Sequence, residues 1–301
     1  MIISASRRTD IPAFYAEWFM NRIREGYCTV PNPFNPNQIS RISLKPEDVD
    51  VIVFWTRYAR PLLPFLNELN QRGYRYYFLY TLMNNPRVLD PKSPSHKRSL
   101  DTFRELSHRI GKEKVIWRYD PIVFSAITDT NFHQETYHRI SEELKGYTTR
   151  SVISMVDIYR KVAKRLRLLE NRCIQIAEPT RTELNNLMKS LSVSASAYDM
   201  EIHTCSEKQG LSLYGISSGK CIDGDLIRKV FSVDVTHRKD PSQRSACGCV
   251  ASRDIGMYDT CRFECVYCYA TTNVDRARER HRNHKSASPS MTGCYGDYKG
   301  L

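Results

Sequence analysis

Over roughly the first 205 residues, short apolar runs alternate with stretches in which apolar residues return every three or four positions. An unbroken apolar run is what a strand buried on both faces shows, and the wider spacing is that of an amphipathic helix. Six such pairs follow one another. Residues 2–6 predict a strand and 12–25 a helix with Phe14, Trp18 and Phe19 on its core face. Val51-Ile52-Val53-Phe54-Trp55 predicts a fully buried strand, and after Pro61 an amphipathic stretch over 62–71 stops at Gly73. Residues 74–82 predict an aromatic-rich strand, 100–110 a helix ending at Gly111, and 115–117 a strand running into Arg118-Tyr119-Asp120-Pro121. A helix over 131–144, a strand over 151–156, a helix over 179–197 and a sixth strand over 201–205 complete the series. This order is that of βα units around a parallel sheet, either an open doubly wound sheet or part of a barrel. In both, function gathers where the strands end.

Two segments fall outside the alternation. Residues 29–44, with Pro31, Pro33, Asn35 and Pro36, predict a turn-rich hairpin inserted after the first helix. Beyond about residue 234 the periodicity fades and Gly, Ser, Asp and Cys dominate, so a body over 1–233 and a Cys-rich tail over 234–301 are expected. The composition, 41% hydrophobic and 26% charged, is that of a globular chain. No run approaches the roughly eighteen apolar residues of a spanning helix, and the first residues lack the apolar stretch of a secretory signal. A cytoplasmic protein with no membrane partner is expected.

Cysteine placement then changes the picture. Of ten cysteines, only Cys28 and Cys173 fall in the first 200 residues. In a reducing compartment such clustering reads as metal or redox chemistry before disulfides. Cys261-Arg262-Phe263-Glu264-Cys265-Val266-Tyr267-Cys268 brings three thiols within eight residues. A compact loop of this kind can place three thiolates around one iron-sulfur cluster and leave one iron open to a substrate or cofactor. Zinc, with Cys247 or Cys249 as fourth ligand, is the competing reading. Cys205, Cys221, Cys247 and Cys249 supply four further thiols, enough for a second 4Fe-4S cluster or a zinc site that would tie the tail to the end of the sixth strand. Polar groups also crowd the predicted strand ends: Ser6-Arg7-Arg8-Thr9-Asp10, Trp55-Thr56-Arg57, Arg118-Tyr119-Asp120, Asp157, and 203–207. Singly each suits a cap or a surface ion pair. Together they mark one end of the sheet.

The C-x3-C-x-aromatic-C pattern resembles the signature of the radical S-adenosylmethionine superfamily, with Cys261, Cys265, Tyr267 and Cys268 matching position by position. The resemblance implies a six-stranded partial (β/α) barrel of the TIM type. It implies a 4Fe-4S cluster on Cys261, Cys265 and Cys268 whose open iron chelates S-adenosylmethionine, and a 5'-deoxyadenosyl radical that abstracts hydrogen from a substrate. It also implies a reductant such as flavodoxin or ferredoxin. By position, Tyr267, Thr56, Arg118, Asp120 and Ser154 are expected at the cofactor, and Arg7, Arg8 and Asp10 at the substrate or cofactor. In the superfamily the motif follows the first strand, whereas here that strand ends in Ser6-Arg7-Arg8-Thr9-Asp10. The resemblance therefore requires the tail to fold back over the mouth of the barrel. Along nearly the whole chain, residues 3–12, Phe54-Trp55-Thr56, 117–121 and the stretch from Cys247 to Ala270 also resemble a bacterial domain-of-unknown-function family, number 1848. Phe54-Trp55-Thr56 and 118–122 resemble, more weakly, the spore photoproduct lyase branch.

Charge adds a second reading. The formal charge is +12, with Arg160, Lys161, Lys164, Arg165 and Arg167 in one run and Arg276, Arg278, Arg280 and Arg282 in another. Such runs track phosphates or form solvated helix faces. A zinc-stabilised nucleic-acid-binding or DNA-repair-associated protein without radical chemistry is thus the alternative to the enzyme. Tyr74, Tyr76, Tyr77 and Tyr80 read first as strand packing and second as a stacking platform.

Overall fold

The structure, a computed structural model, describes residues 1–170, 174–206 and 211–293. Cys173, Glu207, Cys294 and the side chains of Arg160 and Lys161 lie outside what is described. The chain begins β1 (Ile2–Ala5), α1 (Ile11–Phe14), α2 (Ala16–Glu25), the hairpin β2 (Tyr27–Asn32) and β3 (Asn35–Ser43), then β4 (Val51–Thr56) and α3 (Leu66–Gln71). It continues β5 (Tyr76–Thr81), α4 (His96–Ile110), β6 (Val115–Ile122), α5 (Thr130–Glu143), β7 (Arg150–Met155), α6 (Arg160–Glu170), α7 (Arg181–Ala197) and β8 (Glu201–Cys205). The last elements are β9 (Ser217–Gly219), α8 (Gly224–Phe231), β10 (Arg253–Asp254) and α9 (Val274–Arg282).

The fold is mixed α/β around an eight-stranded sheet in the order β10-β1-β4-β5-β6-β7-β8-β9. Every pairing in it is parallel. The six expected strands are its consecutive centre, and two short strands extend its edges. The sheet does not close into a barrel.

Alternate residues of each strand enter two different cores, as the strand's period of two requires. Ile3, Ile52, Phe54, Phe78, Trp117 and Ile153 pack with the apolar faces of α2, α3, α4, α5 and α7. Ile2, Val51, Val53, Tyr77, Leu79, Ile116 and Val152 pack instead with Leu226 and Ile227 of α8 and with Cys221, Cys247, Cys249 and Val250. The helices α2, α3, α4, α5 and α7 therefore share one face, and the six central strands follow chain order, while β10 returns to the edge beside β1 after α8, which packs on the other face. A doubly wound sheet reverses order at a switch point; the six central strands show no such reversal. The tail adds Val235, Cys247, Cys249 and Val250 to this second core, beside α8.

Local boundaries have local causes. The helix expected over 12–25 is broken at Tyr15: Asp10 caps α1, with Ala13 N–H donating to its carboxylate at 3.0 Å, and α2 starts one residue later. α4 begins at His96 because Ser95 caps it. Thr180 and Glu183 form a reciprocal capping box that starts α7. The hairpin of β2 and β3 is antiparallel and stands where the proline-rich segment predicted it. α8 was not expected, and α6 and α9 stand where the two basic runs read as either phosphate-tracking runs or solvated helix faces. α9 has only Ala277 buried, so its sequence shows no apolar stripe.

Candidate functional site

A cavity of about 1160 Å³ opens where β1, β4, β6, β7 and β8 end. That volume is somewhat above the usual range of roughly 300–1,000 Å³ for small-molecule sites. Arg7, Arg8 and Asp10 line it, as do Thr56, Arg118, Asp120, Ser154 and Tyr267. So do all seven cysteines expected to bind metal: Cys205, Cys221, Cys247, Cys249, Cys261, Cys265 and Cys268. Residues of the tail and of the strand ends thus line one cavity.

Asp254 makes the first stitch. Its carboxylate accepts hydrogen bonds from Ser4 Oγ (2.9 Å), Ser6 Oγ (2.7 Å), Arg7 N (2.8 Å) and Gly256 N (3.0 Å), while Ile255 N donates to Ser4 O at 3.0 Å. Gly256 approaches so closely that a Cβ there would stand 2.5 Å from Ser6 Cβ. Tyr269 Oη donates to Arg7 O at 2.8 Å, and Tyr15 Oη to Thr260 O at 2.8 Å. Residues 254–269 thus lie against β1 and the turn that follows it.

The loop of Cys261, Cys265 and Cys268 is held from beneath. Tyr267 is buried, and its hydroxyl donates to Asp90 (2.7 Å) and accepts from Arg57 Nη2 (2.5 Å) and Asn85 Nδ2 (3.3 Å). Arg57 pairs with the same Asp90 at 3.1 Å. The ring that the motif would present to a cofactor spends its hydroxyl as an anchor. Val266 N donates to Leu89 O and Lys92 N to Phe263 O. Phe263, Cys265 and Tyr267 join Val162, Leu166 and Leu169 of α6 in a third core. Arg165 donates to the Cys268 carbonyl, yet its buried Nε and Nη1 have no partner among the described residues. Burial pushes the Cys261 and Cys265 thiols up, toward the protonated form. The three thiols are close enough to influence one another's charge.

Asp10 is committed to the scaffold. It accepts from Thr56 Oγ1 (2.7 Å), Arg57 N (2.6 Å) and Ala13 N (3.0 Å), tying the end of β1 to that of β4. Burial raises its pKa to about 7, against these three hydrogen bonds. Arg118 pairs with Asp120, which also accepts from Ser154 Oγ. Arg7 and Arg118 both stack on Trp55, at 5.3 and 4.7 Å from its ring centre. Arg8 stacks on Tyr258 at 5.4 Å.

A second group of thiols gathers across the cavity. The Cys221 and Cys205 sulfurs are 3.3 Å apart, and Cys249 Sγ accepts from Ile222 N at 3.3 Å. Cys249 neighbours both Cys221 and Cys247. Its hydrogen bond with Cys221 draws the Cys205 thiol down to about 7 and pushes Cys221 up; Cys221, Cys247 and Arg7 lower Cys249. Among the described residues no three His, Cys, Asp or Glu side chains stand ready as a metal's ligand set. Cys221 and Cys205 form an S–H···S pair.

The basic runs have local uses. Arg278 grips Glu264 of the cysteine loop at 2.9 Å, Arg276 pairs with Asp259 at 3.4 Å, and Arg280 donates to Tyr258 O at 2.7 Å. The four strand tyrosines are buried, and Tyr77 and Tyr80 donate to backbone carbonyls. They are packing, not a stacking platform. Among the described residues, no helix is long and apolar enough to cross a membrane. Asp90 and Asn85 carry no mark in the sequence, and Asp254 and Tyr269 have no assigned role within the stretch from Cys247 to Ala270: each acts because two distant loops meet at it.

No curated protein and no solved structure matches the chain. The model of a family described as a domain of unknown function (DUF1848) matches residues 2–270, so the chain belongs to that family.

Proposed function

We propose that the protein is a radical S-adenosylmethionine enzyme whose Cys261, Cys265 and Cys268 hold a 4Fe-4S cluster. One observation carries the reading: this three-thiol loop, distant in sequence from β1, lines one cavity with the ends of β1, β4, β6 and β7. The donor set fits, since three thiols on one short loop leave a fourth position to a cofactor. When bound, the cluster supplies a coordination site for the amino and carboxylate groups of S-adenosylmethionine and the electron that cleaves its sulfonium bond.

The chain's own residues do the rest. Asp90 and Arg57 fix the loop through Tyr267, and Glu264 with Arg278 fixes its outer side. Arg118, oriented by Asp120 and Ser154, offers positive charge to the cofactor carboxylate, and Arg7 and Arg8 offer it to an anionic part of the substrate. Six central strands in chain order, with α2, α3, α4, α5 and α7 on one face, support a partial barrel, with α8 and the tail filling its inner face. Electrons come from a flavodoxin- or ferredoxin-like reductant. The nucleic-acid alternative draws no support from α9, whose Arg276, Arg278 and Arg280 are engaged by the cysteine loop and its flanks.

The test is anaerobic reconstitution followed by dithionite and S-adenosylmethionine. The wild type forms 5'-deoxyadenosine and carries about four irons on this loop, and Cys265→Ala forms none. Equal formation by Cys265→Ala, or none by a fully iron-loaded wild type, refutes the reading.

A further inference from the structure

We infer that Cys205, Cys221, Cys247 and Cys249 form a second metal site, a four-thiolate centre for a single zinc-class ion that clamps the tail to the sheet. Three separate segments converge there. Cys205 ends β8, Cys221 precedes the Asp223 cap of α8, and Cys247-Gly248-Cys249 comes from the tail. Cys221, Cys247 and Cys249 are buried. Gly248 lets the tail come this close: a Cβ there would stand 3.1 Å from Lys220 Cγ, tighter than ordinary contact.

The Cys205–Cys221 spacing suits two ligands of one ion. Zinc-sulfur bonds of about 2.3 Å in a tetrahedron separate the sulfurs by about 3.8 Å. Cys205 and Cys221, at 3.3 Å, reach that by opening about half an ångström. A four-iron cube, with each ligand on its own corner, spreads them much farther.

The surroundings are built for the negative charge that four thiolates leave on a divalent ion. Arg7 reaches the Cys249 thiol, and Arg118 lies near Cys205 and Cys221. Both side chains are nearly nine-tenths buried, and among the described residues Arg7 Nη2 and Arg118 Nε have no hydrogen-bond partner. A buried guanidinium with an unused N–H is costly unless an acceptor is at hand, and metal-bound thiolate sulfur is such an acceptor. The ion would also fix the two arginines that line the cavity.

The test separates this site from the cofactor loop by using the triple variant Cys261→Ala, Cys265→Ala, Cys268→Ala. Purified anaerobically from medium containing both metals, this variant retains about one zinc per chain. Adding Cys221→Ala and Cys249→Ala removes it. Cobalt loaded in place of zinc into the triple variant shows thiolate charge-transfer and tetrahedral d–d bands, a readout that holds even if the five-fold variant does not fold. Absence of those bands, zinc retention without Cys221 and Cys249, iron in place of zinc, or a Cys205–Cys221 disulfide with no metal each overturns the proposal. None of these outcomes depends on cleavage of S-adenosylmethionine.

Discussion

Asp90 holds a buried guanidinium and a buried phenol at once, so its loss leaves two unsatisfied groups rather than one. Replacing it with Ala should cost about 3 kcal/mol, the range for a buried ion pair deprived of one partner. Asp90→Asn, which keeps an acceptor for Tyr267, should cost less; urea melts of the two variants give the order. An equal loss would mean that Asp90 acts on Arg57 alone. Gly256 sets a different constraint. Its φ is not in the left-handed region, so the objection to a side chain is space, not backbone strain. Gly256→Ala must push the tail off Ser6 and should cost about 1–3 kcal/mol, with proteolysis then beginning between 250 and 270. A stability and cleavage pattern like the wild type's would show that the contact is slack.

Among the elements, α5 and β6 share a titratable contact. His133 of α5 is buried between Tyr119 Oη (2.8 Å from Nδ1) and Val123 O (3.1 Å from Nε2), an arrangement that suits a neutral ring. Burial lowers its pKa from the ordinary 6.5 to about 4. As pH falls below 6.5 the unfolded chain takes up this proton first. Stability is therefore full above pH 6.5 and declines down to pH 4, by about 3 kcal/mol in all. Denaturant melts across this window should show the decline, and His133→Gln should flatten it; an unchanged slope in the variant would assign the decline to other groups. The central strands were legible in sequence because parallel strands buried on both faces read as unbroken apolar runs, as Val51-Ile52-Val53-Phe54 does. β9 and β10, three and two residues long, give no pattern to read. α6 and α9 were hidden for another reason: their arginines read as charge runs, while Arg165 and Arg278 in fact hold the cysteine loop.

At the scale of the molecule, the tail is part of the fold. It supplies Val235, Cys247, Cys249 and Val250 to the second core and also reaches α2, where Trp18 Nε1 donates to Ser288 O at 2.9 Å and Arg22 Nη2 to Ala287 O at 2.9 Å. A chain cut after residue 233 leaves Val53, Leu79 and Val152 only partly covered and should aggregate or bind hydrophobic dyes; a cooperative, monomeric melt of 1–233 would restore the division into body and tail that composition suggests. The sequence spacing singled out seven thiols and the strand ends, which line one cavity, but not how they are shared between its two sides, since that depends on the path of the tail. The central claim is that the loop of Cys261, Cys265 and Cys268 holds a redox-active cluster that S-adenosylmethionine touches. Electron paramagnetic resonance of the anaerobic, dithionite-reduced protein tests it most directly. The account predicts a reduced 4Fe-4S signal that changes when S-adenosylmethionine is added and is absent from the triple cysteine variant. A signal indifferent to S-adenosylmethionine, or one that survives in that variant, would contradict it.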